Sequence, residues 1–345
     1  MPSATNASAE PAKPVFTASC HDVRYLTALL RGISFSNRAT VMAHEGGLRF
    51  SVEEARTMTG DSYVHSWIFD EYEYNDPDFT QSQSQTQSSQ ATVVPFEIRL
   101  NTLIECLNIF GTAGLSSGSK QQHKKPRNNI GDDDDDSDRD GPLDKFFQGN
   151  TKGTGMRMSY AGAGYPLTLI LAESSSGPTA TCEITTFDSD PEDRLEVEID
   201  NEDIALKVIL KSSWLRDALS ELDPSCEKLT FFGNPPSQSN NTSRSTPSPL
   251  FRILAEGMFG STEMDYPNDR EVVETFICQE PARFSYRFSH ISKTLKALQV
   301  SIKTSLRIDS KGALGMQFLM PSGQAKEDDG TLFVEFRCIP LDDRL

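Results

Sequence analysis

Two short motifs in this 345-residue chain resemble sites that do chemistry, but both lack the partners that the chemistry needs. Residues 114–118 read GLSSG, the pattern of a turn that presents a nucleophilic serine. That turn must join a strand to a helix, whereas this copy follows a predicted helix and enters a low-complexity stretch. Residues 136–141 read DSDRDG, like the start of a calcium loop, but Phe147 stands where such a loop needs a glutamate. We interpret the first motif as a chance match and the second as a solvated acidic run.

The other residue types that support catalysis are dispersed along the chain. The five histidines show no metal-ligand spacing. The sequence contains no P-loop and no dinucleotide-binding fingerprint, so we expect no cofactor and no catalytic residues. A metal-dependent nuclease would need carboxylates gathered around its ions, and most acidic residues here are scattered or lie in loops. Because such clusters assemble in space, a 3′-to-5′ DNA exonuclease stays open as the alternative function.

Composition argues against several classes of protein. The formal net charge of −17 disfavours a protein that coats nucleic acid over its whole surface, although it permits a local basic face. No apolar run approaches the roughly 20 residues of a membrane span, and residues 1–14 lack the basic and apolar regions of a secretion signal. The six cysteines lie far apart, as is typical of thiols in a reducing compartment. We therefore expect no membrane partner.

Basic residues recur on the exposed faces of predicted helices. On the first helix two arginines lie seven positions apart, and similar pairs occur at the start of the third helix and within the fourth. Such pairs are typical of solvated surface. The second helix carries Glu105 and no basic residue, so the basic character of the helices is uneven. The basic residues concerned are Arg24, Arg31, Lys211, Arg216, Lys293 and Lys296.

A repeated unit of one strand, one helix and further strands positions these residues. The first copy spans residues 16–74 and begins with a short apolar strand, a cap-like Asp22 and an amphipathic helix over residues 23–33. Two or three strands are predicted to follow that helix. Its buried face is predicted to carry Val23, Leu26, Leu30 and Ile33, and its opposite face Arg24, Thr27 and Arg31.

Three further copies share the pattern but almost no identities, which indicates internal pseudo-symmetry. The second helix is predicted over residues 103–110 with Asn101 as its cap. Ser212 or Ser213 is predicted to cap the third helix, and Ser289 the fourth. The clearest strand pattern follows the fourth helix, where apolar residues alternate with polar ones at Val300, Ile302, Leu306 and Ile308.

Four polar segments interrupt the units and are predicted to be disordered, because they hold too few large apolar residues to offset the entropy of ordering. They are the tail at 1–14 and the inserts at 76–92, 112–153 and 234–249. Without them the chain divides into two similar domains of two units each, over residues 15–187 and 204–345, joined by an acidic linker at 188–203. The predicted fold class is α+β, with the helices on one face of curved antiparallel sheets.

Six motifs cover nearly the whole chain outside the inserts, in the order VRYLTALLRGISF, LIECLNIFG, YAGAGYPLTLIL, LRDALSELD, MDYPND and FVEFRCIP. Together they resemble a fungal form of the Rad-one family, the subunits of the nine-one-one DNA-damage checkpoint clamp, within the sliding-clamp superfamily of proliferating cell nuclear antigen (PCNA). The resemblance implies a non-enzymatic nuclear protein that forms a heterotrimeric ring with two related clamp subunits, in which helices line a DNA-sized hole. It also implies that the basic residues of those helices face the DNA and hold it through weak, non-specific phosphate contacts; these candidate DNA-facing residues are Arg24, Arg31, Lys211, Arg216, Lys293 and Lys296. It also implies that a clamp loader places the ring on double-stranded DNA, where checkpoint kinases and repair enzymes use it as a platform.

The same resemblance implies two kinds of contact site. Subunit contacts are expected at two strands, residues 179–187 and 261–266, although each strand could instead pair within its own subunit. The residues concerned are Thr181, Glu183, Thr185, Glu263 and Asp265. An apolar pocket for partner peptides is expected under the linker, whose alternating apolar residues would otherwise form a simple edge strand. Its members would be Met58, Tyr63, Leu195, Val197, Ile199, Ile339 and Pro340.

The insert at 76–92 contains five Ser-Gln or Thr-Gln dipeptides, the acceptor pattern of damage-checkpoint kinases of the phosphoinositide-kinase-like family. Phosphate on a disordered loop adds charge and acceptor oxygens, and it would create a docking site for an Arg-bearing domain. A polar, glutamine-rich linker would contain the same dipeptides by composition, and a scaffold that binds proteins only through its inserts is a further alternative. The candidate acceptors are Thr80, Ser82, Ser84, Thr86 and Ser89.

Overall fold

The computed structural model of the chain describes residues 13–75, 95–111, 153–174, 176–189, 195–235, 249–321 and 332–342. Within these ranges the first unit contains β1 (Phe16–Cys20), α1 (Arg24–Gly32), β2 (Arg38–His44), β3 (Gly47–Glu54), β4 (Met58–His65) and β5 (Glu71–Tyr74). The second unit contains β6 (Phe96–Arg99), α2 (Leu100–Leu107), β7 (Gly155–Tyr160), β8 (Leu167–Ala172), β9 (Thr179–Ile184) and β10 (Phe187–Asp188).

The second half of the chain repeats this order. The third unit contains β11 (Ile204–Lys211), α3 (Ser212–Ser220), β12 (Cys226–Gly233), β13 (Phe251–Gly257), β14 (Gly260–Tyr266) and β15 (Val273–Ile277). The fourth contains β16 (Ala282–Arg287), α4 (Phe288–Ile291), α5 (Leu295–Leu298), β17 (Lys303–Asp309), β18 (Leu314–Met320) and β19 (Leu332–Cys338). The fourth helix is thus two short α-helical pieces, separated by a 3₁₀ turn at Ser292–Thr294. The predicted α+β class with antiparallel sheets is confirmed.

The units interlock in pairs by exchanging their first strands. In the first half, β1 pairs with β7 of the second unit, and β6 pairs with β2 of the first unit. In the second half, β11 pairs with β17 and β16 pairs with β12 in the same way. Each half is therefore one body, because neither unit completes a sheet without the other.

One sheet runs through both halves. Its ten strands follow the order β10-β6-β2-β3-β4-β19-β18-β17-β11-β15, and the halves meet where β4 pairs antiparallel with β19. The two smaller sheets have the orders β5-β1-β7-β8-β9 and β14-β13-β12-β16. The helices lie side by side in the order α2, α1, α5, α3, and α1, α2 and α3 contact strands of the ten-stranded sheet. A continuous layer of helices therefore covers one face of that sheet.

The periodicity of the first helix predicts its packing well. Val23, Leu26, Leu30 and Ile33 are all fully buried, and Asp22 accepts a hydrogen bond from the backbone N–H of Arg24 at 3.0 Å. Thr27 was predicted to be exposed, and that prediction is wrong. Its side chain is buried because the hydroxyl satisfies itself locally, donating to the Val23 carbonyl at 2.8 Å.

The predicted caps of the other helices are wrong by one to two positions. The second helix begins at Leu100, the third at Ser212 and the fourth at Phe288, so Asn101, Ser213 and Ser289 lie inside their helices. Each strand runs directly into its helix, and its last residue takes the cap position with extended backbone. The Ser212 hydroxyl instead contacts that of Thr304 at 2.8 Å. Ile302 also departs from prediction, since it precedes β17 and is 52% exposed.

Candidate functional site: a helix layer and two open sheet edges

Basic residues occupy the cap positions of three helices. Arg99, Lys211 and Arg287 are the last residues of β6, β11 and β16, and all three are exposed. Neither α2 nor α3 has an acidic residue in its first turn. A cation at a helix N-terminus opposes the helix dipole and costs stability unless an anion is present. Sequence reasoning missed Arg99 and Arg287, although both could have been found as the basic residue that ends each strand before a helix.

A cavity of about 380 Å³ opens between α1, α2 and α5. Arg31 lines it, and burial lowers the pKa of its guanidinium. No carboxylate among the described residues pairs with Arg31. Lys296 lines the same cavity, and its ammonium donates to oxygens of Ser34, at 2.9 Å to the carbonyl and 3.2 Å to the hydroxyl. Among the described residues neither cation has an acidic partner, and both line the cavity where the two halves join, together with Glu105.

The remaining predicted basic residues are neutralised or lie apart. Arg24 lines the same cavity but forms an ion pair with Asp22, with 2.6 Å between Nη2 and Oδ2. Lys293 pairs with Glu54 and lies 5.9 Å from the centre of the Phe35 ring, outside the cavity. Arg216 pairs with the adjacent Asp217 at 2.9 Å, and Lys211 is exposed at its helix start. The structure thus brings Arg24, Arg31 and Lys296 together and leaves the other three elsewhere.

The strands predicted to join subunits both lie at sheet edges. β9 ends the five-stranded sheet and β14 ends the four-stranded sheet, so each has a neighbour on one side only. On β9 the side chains of Thr181 and Glu183 are exposed, and Thr185 is exposed just beyond the strand. On β14, Glu263 and Asp265 are exposed, and both contact Arg252 of β13. Their role in assembly stays a prediction.

The junction between β4 and β19 shows how two such strands pair. Each is the last long strand of its unit, as β9 and β14 are of theirs. The register sets Asp61 directly opposite Glu335, and both carboxylates are nearly buried. Arg49 lies 2.9 Å from Asp61, while Arg337 and Arg307 approach Glu335 at 2.6 and 3.5 Å. Three guanidinium groups therefore offset two carboxylates that face each other across the joint.

The linker crosses the other face of the ten-stranded sheet. The Leu195 N–H donates to Glu53 at 3.1 Å, and the Asp200 N–H donates to Asp309 at 3.2 Å. Ile199 fills the space over Gly315, where a Cβ atom would lie 2.3 Å from its Cδ1. A glycine at 315 is therefore what lets the linker lie flat on β18.

The predicted apolar pocket is a charged cleft. A cavity of about 580 Å³ lies between the linker and β2, β3, β4 and β19, and only Tyr63 and Leu195 of the predicted members line it. Met58 is wrong as a pocket residue, because the alternation of β4 turns it into the core, where it is fully buried. Val197 is likewise buried, whereas Ile339 is 41% exposed and Pro340 packs near Gly312, both outside the cleft. The charged lining residues are Arg38, Arg49, Arg56, Arg337, Glu53, Asp61, Glu97, Glu196 and Glu198.

Several predictions concern segments outside the described residues, namely the GLSSG and DSDRDG motifs and the five candidate phosphate acceptors. In the described part of the chain, no group of three or more histidine, cysteine or acidic side chains is placed to hold a metal ion. No described helix is long and apolar enough to cross a membrane.

The sequence of the chain matches a known protein family. Residues 15–320 match the family described as repair protein Rad1/Rec1/Rad17. The human cell cycle checkpoint protein RAD1 is 30% identical over 323 residues, which cover 94% of this chain and 90% of that protein. The DNA damage checkpoint control protein rad1 of Schizosaccharomyces pombe is 28% identical over 329 residues, covering 95% and 87%. The DNA repair exonuclease REC1 of Mycosarcoma maydis is 25% identical over 446 residues, covering 94% and 96%.

Proposed function

The chain belongs to the Rad1/Rec1/Rad17 family of repair proteins, and we propose that it acts in the DNA-damage checkpoint as one subunit of a heterotrimeric sliding clamp. In this proposal it forms a ring with two related subunits, holds double-stranded DNA in the hole, and serves as a platform for signalling and repair factors in the nucleus. A clamp loader would open the ring and place it on DNA.

The observation that carries this proposal is the pairing of β4 with β19. Pseudo-symmetry makes β9 and β14 the counterparts of these two strands, and both counterparts are unpaired on one side. An open edge strand is a template for another chain. Because β9 and β14 are different surfaces, their pairing between subunits is head-to-tail, and such contacts close into a ring when the rotation permits. The joint inside the chain would then recur between chains.

The helix layer supports the DNA contact. Arg31, Lys296, Lys211, Arg99 and Arg287 provide cations on or beside the helices, four of them exposed and all without a carboxylate partner among the described residues. Contacts of this kind bind phosphates without reading bases, so the ring remains free to slide. The chain as a whole carries a net charge of −17, so the rest of its surface is acidic and would repel DNA, which concentrates the attraction at this layer.

The cleft beneath the linker is the proposed platform. Its lining carries both positive and negative side chains. It therefore suits a peptide that carries both acidic and basic residues better than an apolar peptide. The turn between β3 and β4 places Ala55 and Arg56 at its rim, with φ angles of 51° and 53°. Left-handed backbone at two residues other than glycine costs stability, and such strain persists where the position serves a function.

One experiment tests the ring directly. The chain is co-expressed with the two related subunits and loaded onto a nicked circular plasmid, and the protein retained after a high-salt wash is measured before and after the plasmid is linearised. A ring that encircles DNA stays on the circle and leaves the linear ends. Equal loss from both forms would contradict encirclement.

The exonuclease is the second candidate, because a relative named for that activity matches nearly the full length of this chain. Its test is release of nucleotides from a labelled 3′ end in the presence of magnesium. Activity that persists through purification and disappears when a single pair of carboxylates is replaced would favour the enzyme. Absence of release from the purified chain and from the assembled ring favours the clamp alone.

A further inference from the structure

We propose that charge at the two open edges decides which chains can join the ring. Both β9 and β14 carry solvent-exposed carboxylates. Too few cations lie nearby to offset the repulsion that would arise if β9 of one copy paired with β14 of another. The chain therefore does not close a ring with copies of itself. Each edge instead accepts an antiparallel strand of another clamp-type chain that carries lysine or arginine at its outward positions. This inference rests on the ring proposed above.

The internal junction shows what an acidic joint requires. Asp61 and Glu335 face each other across β4 and β19, with side chains that are 3% and 8% exposed. Like charges directly opposite on adjacent strands destabilise a sheet. Here the chain supplies Arg49, Arg307 and Arg337, each in contact with one of the carboxylates. At this joint guanidinium groups outnumber carboxylates, which offsets the repulsion between the two carboxylates.

The open edges lack this compensation. On β9, Glu183 points outward, and its cross-strand neighbour on β8 is the uncharged Thr168. On β14, Glu263 and Asp265 both point outward and share Arg252 as their cation. If β9 of one copy paired with β14 of another, three carboxylates would gather around one guanidinium group.

Among the described residues, Arg252 is the cation that pairs with the carboxylates of these two edges. Arg157 is exposed on β7, two strands from β9, and forms no ion pair with Glu183 in the described structure. Lys228 on β12 is already paired with Glu256 at 2.9 Å. Salt screens exposed charges over about 10 Å, which leaves the nearest carboxylates to dominate at either edge.

The chemistry of the expected partner follows from the spacing. Glu263 and Asp265 are two residues apart on one strand, so they present charges roughly 7 Å apart along the edge. A partner strand with two cations at alternate positions matches them. Within the chain, by contrast, the cations that offset Glu335 lie on its own side of the joint, Arg337 on the same strand and Arg307 on β17. At β9, a single outward cation opposite Glu183 is sufficient.

A charge reversal at β9 tests the proposal through a gain of self-association. In Glu183→Lys the β9 edge becomes complementary to the Glu263 and Asp265 of a second copy. Conversion of a cross-strand repulsion into an attraction strengthens the contact about tenfold. The matched control is Glu280→Lys, which makes the same charge change at an exposed turn residue between β15 and β16.

The readout is the weight-average mass of the full-length chain against concentration, together with the second virial coefficient from light scattering, which detects weak attraction. We expect net repulsion for the wild type and for Glu280→Lys, and net attraction for Glu183→Lys that weakens as salt is added. Adding Glu263→Lys to Glu183→Lys places a lysine on each edge and should restore repulsion.

Two results would overturn the inference: self-association of the wild type, or identical behaviour of Glu183→Lys and Glu280→Lys. Its failure is distinguishable from failure of the ring. If the reversal has no effect while the wild type still forms a heterotrimer with two related subunits, only the role of edge charge is wrong. If the wild type forms no assembly with any related subunit, the ring itself is wrong.

Discussion

Replacing Arg31 and Lys296 together by glutamine should flatten the salt dependence of DNA binding by the assembled ring. These are the two cations that line the cavity between α1, α2 and α5 without a carboxylate partner in the described structure. Each phosphate contact contributes about 0.9 to the slope of log affinity against log salt concentration. The double variant should therefore lose about 1.8 units of slope.

The expected size of the effect is easily measured. A rise in salt from about 50 to about 200 mM is fourfold, so one phosphate contact weakens binding about 3.5-fold over that range and two contacts about twelvefold. The double variant should bind more weakly at low salt, and its loss of affinity across this range should be about twelvefold smaller than that of the wild type.

A second double variant serves as the control. Arg24 lines the same cavity but is paired with Asp22. Asp22→Asn with Arg24→Gln removes both charges, keeps the net charge of the chain, and retains a side chain that caps α1 well. Its slope should match the wild type within about half a unit.

Binding is followed by the fluorescence anisotropy of a labelled duplex titrated with the ring at several salt concentrations. An unchanged slope in the Arg31→Gln and Lys296→Gln double variant would refute the assignment of these residues to the DNA-facing surface. A slope that falls as far in the control would show that the ion pair with Asp22 does not neutralise Arg24.

Four further predictions follow from the fold and its segments. Glu183→Pro removes one assembly edge and leaves the other, so pairwise mixing should show loss of one related subunit only, and retention of both would contradict the assigned edge. Arg56→Gly relieves the left-handed backbone at φ 53° and should raise the free energy of unfolding in urea by about 1 kcal/mol, whereas an unchanged midpoint would contradict strain. Burial raises the pKa of Cys20 and Cys338 to about 12 from about 9, so the stability they contribute is complete below pH 9 and is lost as pH rises toward 12; a melting temperature that stays flat above pH 9 would contradict this. After DNA damage in cells, mass spectrometry of the 76–92 peptide should find phosphate on at least one acceptor, and none at full coverage leaves the linker interpretation standing; the acceptors are Thr80, Ser82, Ser84, Thr86 and Ser89.

The sequence predicts the repeated unit because apolar periodicity reports directly on burial. Val23, Leu26, Leu30 and Ile33 lie four, three or seven positions apart, and a helix must bury them together. The α+β class, the order of elements and the two edge strands could all be anticipated from such patterns and from family resemblance. The exchange of first strands between units could not, because alternation shows that a strand is half-buried but not which strand it joins.

The charged sites were harder to predict for a physical reason. Whether a cation is available to bind DNA depends on its partners, and Lys293 meets Glu54 only through the tertiary fold. The prediction of Met58 as a pocket residue is wrong because successive residues of a strand face opposite sides of the sheet. Met58 of β4 faces the core and is buried, whereas the adjacent Thr59 faces the cleft. The predicted caps are wrong because each strand runs directly into its helix, so the last residue of the strand takes the cap position.

The proposed ring contains this chain as one of three different subunits. Native mass spectrometry of the chain, purified from its own cells at endogenous level under low salt, measures the composition of its assembly. We expect one dominant complex with one copy of this chain and one copy of each of two related chains. A monomer, a homotrimer, or a complex lacking either related chain would contradict it.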